Sequence, residues 1–432
     1  MVPLWAAAGL LLMLVLVGAR VFGQLVNPIT AFSGVWLVSV LAVLAGPLRF
    51  TNVSVATLGL LAEAHLLFAM GVVASALWVP QADRGAARIG EDALAPFRVP
   101  LLRAVVASAL LGLLGRFLSL VELVRSGDIL ILLSSPSTFR EMALSDQLHI
   151  TIVARVLSAF NFSAAAFSGA YVGMFRRPRA LLLVPLLGLL ASFVTDAGRA
   201  ELVWGIMLLG SAYLIGRVQI RARLLGWRDV AAAASLGLGF LVVLAALRVL
   251  RGGALEGTYE FTRMRYGNVM RYGGNGLIST LLANVVSYFS GPVPALSHAL
   301  DGGPSLPMLG RYTFRPLFAA LGGETGSSLF PETFIPFPFN VFTHLYMLWL
   351  DFGVLGVGAF HLIAGMIGGA LYARMGAKPS LKTLVLLAFV YTFLGFSLFL
   401  PLTYATTYWV ALALTLAMAV TIARRRPSWT GT

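Results

Sequence analysis

Guanidinium groups grip phosphate oxygens through paired, parallel hydrogen bonds, and this sequence carries a set of them that calls for such a role. Arg199 lies in the turn Thr195-Asp196-Ala197-Gly198-Arg199-Ala200-Glu201. Arg248 and Arg251 stand three positions apart, the spacing that shares one helix face. Arg263, Arg265, Arg271, Arg311 and Arg315 follow in a stretch rich in Gly and Pro. Single arginines of this kind can snorkel or pair with Asp196, Glu201, Glu256 and Glu260. As a set they favour anion binding. Other chemistries lack their residues. There is no P-loop, no nucleotide-binding glycine fingerprint with its acid, no His-Glu-x-x-His and no Asp-x-Asp pair. Cysteine is absent, which removes thiolate nucleophiles and disulfides. The histidines at 65, 149, 298, 344 and 361 are too scattered to assemble a metal cluster from spacing alone.

The elements that must position these arginines are membrane helices. Soluble domains carry about 25% charged residues; this chain has 11%, against 59% hydrophobic. An apolar run of about 20 residues spans the hydrocarbon core. Such runs fall near 4–19, 29–46, 53–79, 99–118, 151–174, 180–195, 201–216, 229–250, 353–373, 382–400 and 404–423, which predicts an all-α polytopic protein with about eleven spans. The first run lacks a preceding basic segment and a small-residue cleavage site, so it reads as a retained helix. The formal charge of +14 is gathered in short clusters between apolar runs, the pattern of membrane topology and not of nucleic-acid binding.

Those clusters set the orientation. Arg176, Arg177 and Arg179, then Arg217 to Arg228, then Arg374 to Lys382, then Arg424 to Arg426 can all be cytoplasmic at once. The segments 119–150, 196–200 and 252–352 then face outward. Three parts follow: an N-terminal bundle 1–251, a large outward loop 252–352 with short membrane-edge helices, and C-terminal spans 353–432 with a cytoplasmic tail. In the loop, arginines balance acids, so topology does not explain them. A long loop of this kind is more often functional than passive. Glu63 and His65 fall inside a span, where ionisable groups are costly, but two positions apart they lie on different helix faces and make no shared site. Arg103, Arg116 and Arg155 are expected near helix ends or facing the bundle interior.

Three stretches resemble the oligosaccharide repeat unit polymerase family, the O-antigen polymerases. They are Gly310-Arg311-Tyr312-Thr313-Phe314-Arg315-Pro316, Phe339-Asn340-Val341-Phe342-Thr343-His344, and Leu350-Asp351-Phe352-Gly353-Val354-Leu355-Gly356. Tyr288 with Ser290-Gly291-Pro292, Asn27-Pro28 with Trp36, and the Gly198-Arg199 turn add to them. The resemblance is strongest over 260–357. Around the arginine turn the family often has small hydroxyl residues, where this chain has Ala197 and Ala200. The resemblance implies a fold like the GT-C-like one of O-antigen polymerases and ligases, in a bacterial inner membrane. It implies transfer of a growing glycan from undecaprenyl diphosphate to a hydroxyl of another lipid-linked repeat unit on the periplasmic face. Diphosphate is a good leaving group, and its developing charge needs positive groups placed in advance. Arg199 and Arg311 are the expected catalytic arginines. His298 is the expected base for the acceptor hydroxyl, with His344 and Asp351 as alternatives. Substrate binding would fall to Arg248, Arg251, Arg263, Arg265, Arg271, Tyr288, Tyr312, Arg315, Asn340 and His344. Asp351 has a second reading, as an acid near the positive end of the helix that follows it. The chemistry calls for no metal or cofactor. The partners implied are the lipid-linked oligosaccharide, membrane lipids and a chain-length regulator protein, with no nucleic acid. A glycan ligase of the same fold and a transporter or flippase of lipid-linked sugars are the alternatives.

Overall fold

The computed structural model describes residues 2–46, 48–50, 53–78, 91–134, 138, 139, 142, 148–175, 179–196, 200–220, 226, 286–302, 307–323, 333–335, 337–339 and 343–424. The chain is a predominantly helical, multi-pass membrane protein. Its helices are α1 (Val2–Phe22), α2 (Pro28–Ala45), α3 (Val55–Trp78), α4 (Glu91–Ser126), α5 (Asp128–Ser134), α6 (Ile152–Phe175), α7 (Val184–Asp196), α8 (Ala200–Leu214), α9 (Pro292–Asp301), α10 (Arg315–Ala320), α11 (His344–Ala377), α12 (Leu381–Phe396) and α13 (Thr406–Arg424). Two short strands, β1 (Thr333–Phe334) and β2 (Pro338–Phe339), pair antiparallel. Among the described residues eight helices are long and apolar enough to cross a bilayer: α1 to α4, α6, α8 with its continuation, α11 and α13. α7 and α12 are shorter apolar helices at two further expected spans. The expected span at 229–250 lies outside the described residues.

Two helices differ from their expected extents. α4 begins at Glu91 and runs through Pro96 and Pro100 to Ser126. α11 begins at His344, ahead of the expected start at 353, and contains a break at Gly353. A break inside an apolar run leaves hydropathy unchanged, so composition does not reveal it.

The chain forms two compact units, each built from segments distant in sequence. The first comprises Met1–Ser75, Gly226–Gly369 and Leu394–Tyr404. Its opening hairpin joins α1 to α2 through Asn27. The Asn27 side chain accepts from Thr30 N–H at 2.9 Å and donates to the Gln24 carbonyl at 2.8 Å, with Pro28 starting the helix behind it. Trp36 of α2 is fully buried, and its indole N–H donates to the Ser397 hydroxyl at 3.0 Å. α3 and α11 meet with almost no side chain between them. Gly365 and Gly369 of α11 face the Phe68 and Val72 carbonyls of α3, and Gly71 of α3 faces the Leu362 carbonyl. Lipid tails are as apolar as leucine, so helices in a bilayer associate by this close backbone packing.

The second unit comprises Ala76–Leu225, Ala370–Phe393 and Ala405–Thr432. Small residues hold it together in the same way. Gly112 and Gly115 of α4 lie against Asn161 and Ser158 of α6, and Gly169 and Gly173 of α6 lie against the Leu209 and Tyr213 carbonyls of α8. Ser163 and Thr415 share a buried hydrogen bond of 2.7 Å between α6 and α13.

Any side chain at Gly365 would meet the Phe68 carbonyl, which belongs to backbone and cannot swing away. Gly365→Leu is expected to cost about 1–3 kcal/mol, the usual penalty of overpacking. The measurement is the thermal unfolding midpoint of the purified protein in detergent. Gly376→Leu, at a position with open space around it, should leave that midpoint nearly unchanged. Equal losses from both variants would remove the close approach as the cause.

Candidate functional site

The site begins with the break in α11. In a continuous helix the carbonyls of Leu350 and Asp351 would accept from the N–H groups four residues on. Gly353 has φ 65° and ψ −169°, a conformation that glycine adopts without steric penalty, and the ladder stops there. Asp351 is fully buried, so the released carbonyls need donors from the protein itself. Met308 N–H donates to the Leu350 carbonyl and Leu309 N–H to the Asp351 carbonyl, both at 3.1 Å. The chain then turns through Leu309 and Gly310, both with positive φ.

Asp351 closes this turn. It is fully buried. Its carboxylate accepts from Tyr312 N–H at 3.1 Å and from Thr313 N–H at 2.6 Å. Thr403 donates its hydroxyl to the Thr313 carbonyl at 2.7 Å. Arg315 donates to the Tyr404 hydroxyl at 2.7 Å, with its guanidinium carbon 5.2 Å from the Tyr404 ring centre. The segment 308–315 is thereby tied to the end of one half-helix and to residues 403 and 404. Arg311 and Tyr312 are only partly covered. Among the described residues no hydrogen bond or ion pair engages the Arg311 guanidinium. It is a preplaced cation on a fixed turn.

The other expected site residues are placed as follows. His298, near the end of α9, is exposed, and its Nδ1 shares a 2.8 Å hydrogen bond with the Thr333 hydroxyl of β1. Tyr288 is half-buried in the helical turn 286–290. His344 begins α11. It is 1% exposed, with Nδ1 on the Ser397 carbonyl at 3.0 Å and Nε2 on His361 Nε2 at 2.7 Å. Asp351, buried under Tyr312 and Thr313, anchors the turn from the half of α11 that precedes the break. Arg199, Arg248, Arg251, Arg263, Arg265, Arg271 and Asn340 lie outside the described residues. The structure therefore joins Arg311, Tyr312, Arg315 and Asp351 into one assembly, and joins His298 to β1.

In the second unit, Arg116 of α4 is buried, donating to the Thr195 hydroxyl at 2.9 Å and pairing with Glu201. One of the four acids that the sequence offered as partners for the arginine set, Glu201, is thus engaged by Arg116. Near the end of α4, the Glu122 carboxylate accepts from both the hydroxyl and the N–H of Thr151. Asp128 accepts from His149. Burial works against the charge of Asp128, but hydrogen bonds from Ser126 and His149 outweigh it and hold its pKa below the usual carboxylate range. Its stabilising contribution is therefore full at neutral pH and fades as pH falls through that lowered value.

Sequence reasoning missed a second cluster. His65 of α3 and His344 and His361 of α11 gather around Phe32 and Trp36 of α2. Phe32 stacks on His65 with ring centres 4.1 Å apart and on His361 at 5.4 Å. Each histidine is essentially inaccessible to solvent. His344 and His361 are seventeen positions apart, which would hold them about 25 Å apart along an unbroken helix. The break at Gly353 lets them meet. No signal in the sequence could have joined them, beyond the cost of any ionisable group inside a span.

No protein-family model, no curated protein and no solved structure matches this chain.

Asp351→Ala would leave the N–H groups of Tyr312 and Thr313 without their acceptor, at a cost of about 1–3 kcal/mol for each buried group left unsatisfied. Segment 307–323 should then be cleaved faster by protease in detergent, while Asp351→Asn, which keeps one acceptor oxygen, should be milder. Cleavage of the alanine variant at the wild-type rate would show that the carboxylate does not hold the turn.

Proposed function

We propose that the protein is a membrane glycosyltransferase that polymerises undecaprenyl-diphosphate-linked repeat units into a surface polysaccharide, on the periplasmic face of a bacterial inner membrane. One observation carries the reading. The stretches 310–316 and 350–356, which resemble the repeat unit polymerases, form a single hydrogen-bonded assembly, with Tyr312 and Asp351 thirty-nine positions apart in sequence. That assembly holds Arg311, whose guanidinium has no hydrogen bond or ion pair among the described residues, and Arg315 against Tyr404.

In the proposed reaction an acceptor hydroxyl attacks the anomeric carbon of the donor glycan. The glycosidic bond forms, the bond to undecaprenyl diphosphate breaks, and the hydroxyl proton passes to a base. Arg311 stabilises charge developing on the departing diphosphate, with Arg199 as a further candidate. A preorganised donor of this kind is worth about 10²–10³ in rate. His298, exposed and linked to Thr333, is the candidate base. Arg311 sits on a turn tied down by its own backbone, so it needs little reorganisation when charge appears.

The glycan ligase reading shares this chemistry and differs in acceptor. The transporter reading gains from one observation, the three histidines buried inside membrane spans, since polar groups along a transport path lie within the bilayer.

Purified protein given a defined lipid-linked oligosaccharide should lengthen it without added nucleotide. Arg311→Ala should lower elongation about 10²-fold or more while the variant inserts and unfolds like wild type. Unchanged elongation by Arg311→Ala would sink its role. In cells, deleting the gene should leave single repeat units where the parent makes a ladder. Full-length glycan left unattached would favour the ligase, and loss of outward movement of the lipid-linked unit would favour the transporter.

A further inference from the structure

The hydrogen bonds around His344 and His361 fix a proton count. His361 Nδ1 lies 2.7 Å from the Val357 carbonyl, and His344 Nδ1 lies 3.0 Å from the Ser397 carbonyl. Carbonyl oxygens only accept, so each Nδ1 must carry a proton. The two Nε2 atoms face each other at 2.7 Å. With both rings neutral, each Nε2 would present a lone pair to the other. Moving one ring to its other tautomer does not help, because its Nδ1 lone pair would then face a carbonyl oxygen. Every neutral arrangement leaves one acceptor against another at contact distance. Three protons satisfy all four nitrogens, and two neutral imidazoles supply only two.

We propose that His344 and His361 form an intramembrane proton-binding site, holding one extra proton between their Nε2 atoms as a single positive charge shared by the pair. The surroundings suit such a cation. Phe32 lies 5.4 Å from the His361 ring centre and 5.9 Å from that of His344, and Phe360 and Trp36 lie within 6.5 Å of one or both. An aromatic face within about 6 Å stabilises a cation, and the Phe32 ring stacked on His361 meets that condition. From α3, His65 and Glu63 face α11. His65 donates Nδ1–H to the Leu61 carbonyl at 2.8 Å, and its buried Nε2 has no hydrogen-bond partner among the described residues. It is the adjacent open acceptor, stacked on the same Phe32. The Glu63 carboxylate lies against Gly358, one turn before His361, as the nearby acid. α2 offers Phe32 and Trp36, and the segment after α12 offers Ser397, neither of them titratable. On α11 itself Tyr346, Asp351, Tyr372 and Arg374 are the remaining ionisable groups, and Asp351 is spent on the turn at Tyr312. Among the described residues His65, across Phe32, is the neighbouring group through which the extra proton would be exchanged, with Glu63 near Gly358 as the nearby acid.

The test is nitrogen NMR of full-length, histidine-labelled protein in detergent near neutral pH. Signals of the exposed His149 and His298 are identified by their loss in His149→Gln and His298→Gln. Wild type should show one charged, proton-sharing imidazole pair and one neutral His65. In His344→Gln the amide N–H can donate to His361 Nε2 without adding charge, so the charged signal should vanish, His361 should become neutral, and the thermal midpoint should hold. Two separate neutral imidazoles in wild type would overturn the proposal, as would a charged His361 surviving in His344→Gln. If His344→Gln does not fold, the wild-type spectrum decides alone.

Discussion

The rest of the first unit depends on one interrupted run of backbone hydrogen bonds. Inside a bilayer a helix cannot stop without finding donors for the carbonyls it releases. α11 stops at Gly353 and restarts, and the carbonyls of Leu350 and Asp351 are answered by the N–H groups of Met308 and Leu309. That single exchange fastens an otherwise irregular segment to the bundle. The Asp351 carboxylate then takes the N–H groups of Tyr312 and Thr313, and the position of Arg311 between Gly310 and Tyr312 follows. The same break turns His361 toward His344. Both polar assemblies of the unit thus descend from a glycine with positive φ.

Around that break the two units obey a common constraint. Where no water competes, close backbone approach and saturated polar groups replace hydrophobic burial as the organising forces. The glycines of α3 and α11 do this in one unit, and those of α4, α6 and α8 in the other. Polar side chains inside the helices mostly serve their neighbours' backbones: Ser119 returns to the Gly115 carbonyl, Thr392 to Ala388 and Thr415 to Ala411. Arg116 shows the costlier case, a buried guanidinium matched by Glu201 and Thr195 from two other helices.

The helices were legible because hydropathy is additive along the chain: ten of the eleven expected spans coincide with described helices, and Asn27-Pro28 announced the start of α2. The break in α11 was not legible, since Gly353 is one glycine among many in apolar surroundings. Missing it moved Asp351 to the head of the following helix in the sequence reading, when it ends the preceding half. It also kept His344 and His361 apart, because the span was read as beginning at 353, past His344, whereas the helix begins at His344. Arg311 and Arg315 were found by charge type, and their company with Asp351 by resemblance. What fixes them, Thr403 and Tyr404, carries no signal at all, being ordinary residues brought from far along the chain.

The bond between Trp36 and Ser397 joins residues 361 positions apart, and it has a bearing on time. Chains emerge at about 5–20 residues per second, so α2 waits roughly twenty seconds to a minute before its buried indole meets the hydroxyl it will keep. Through that interval the early helices reside in the membrane with an incomplete unit and with polar groups still awaiting partners. Biogenesis of this protein is therefore a problem of custody: α1 to α3 must be kept from wrong neighbours until residues 394–404 arrive, and an interrupted synthesis spoils the first helices made as surely as the last.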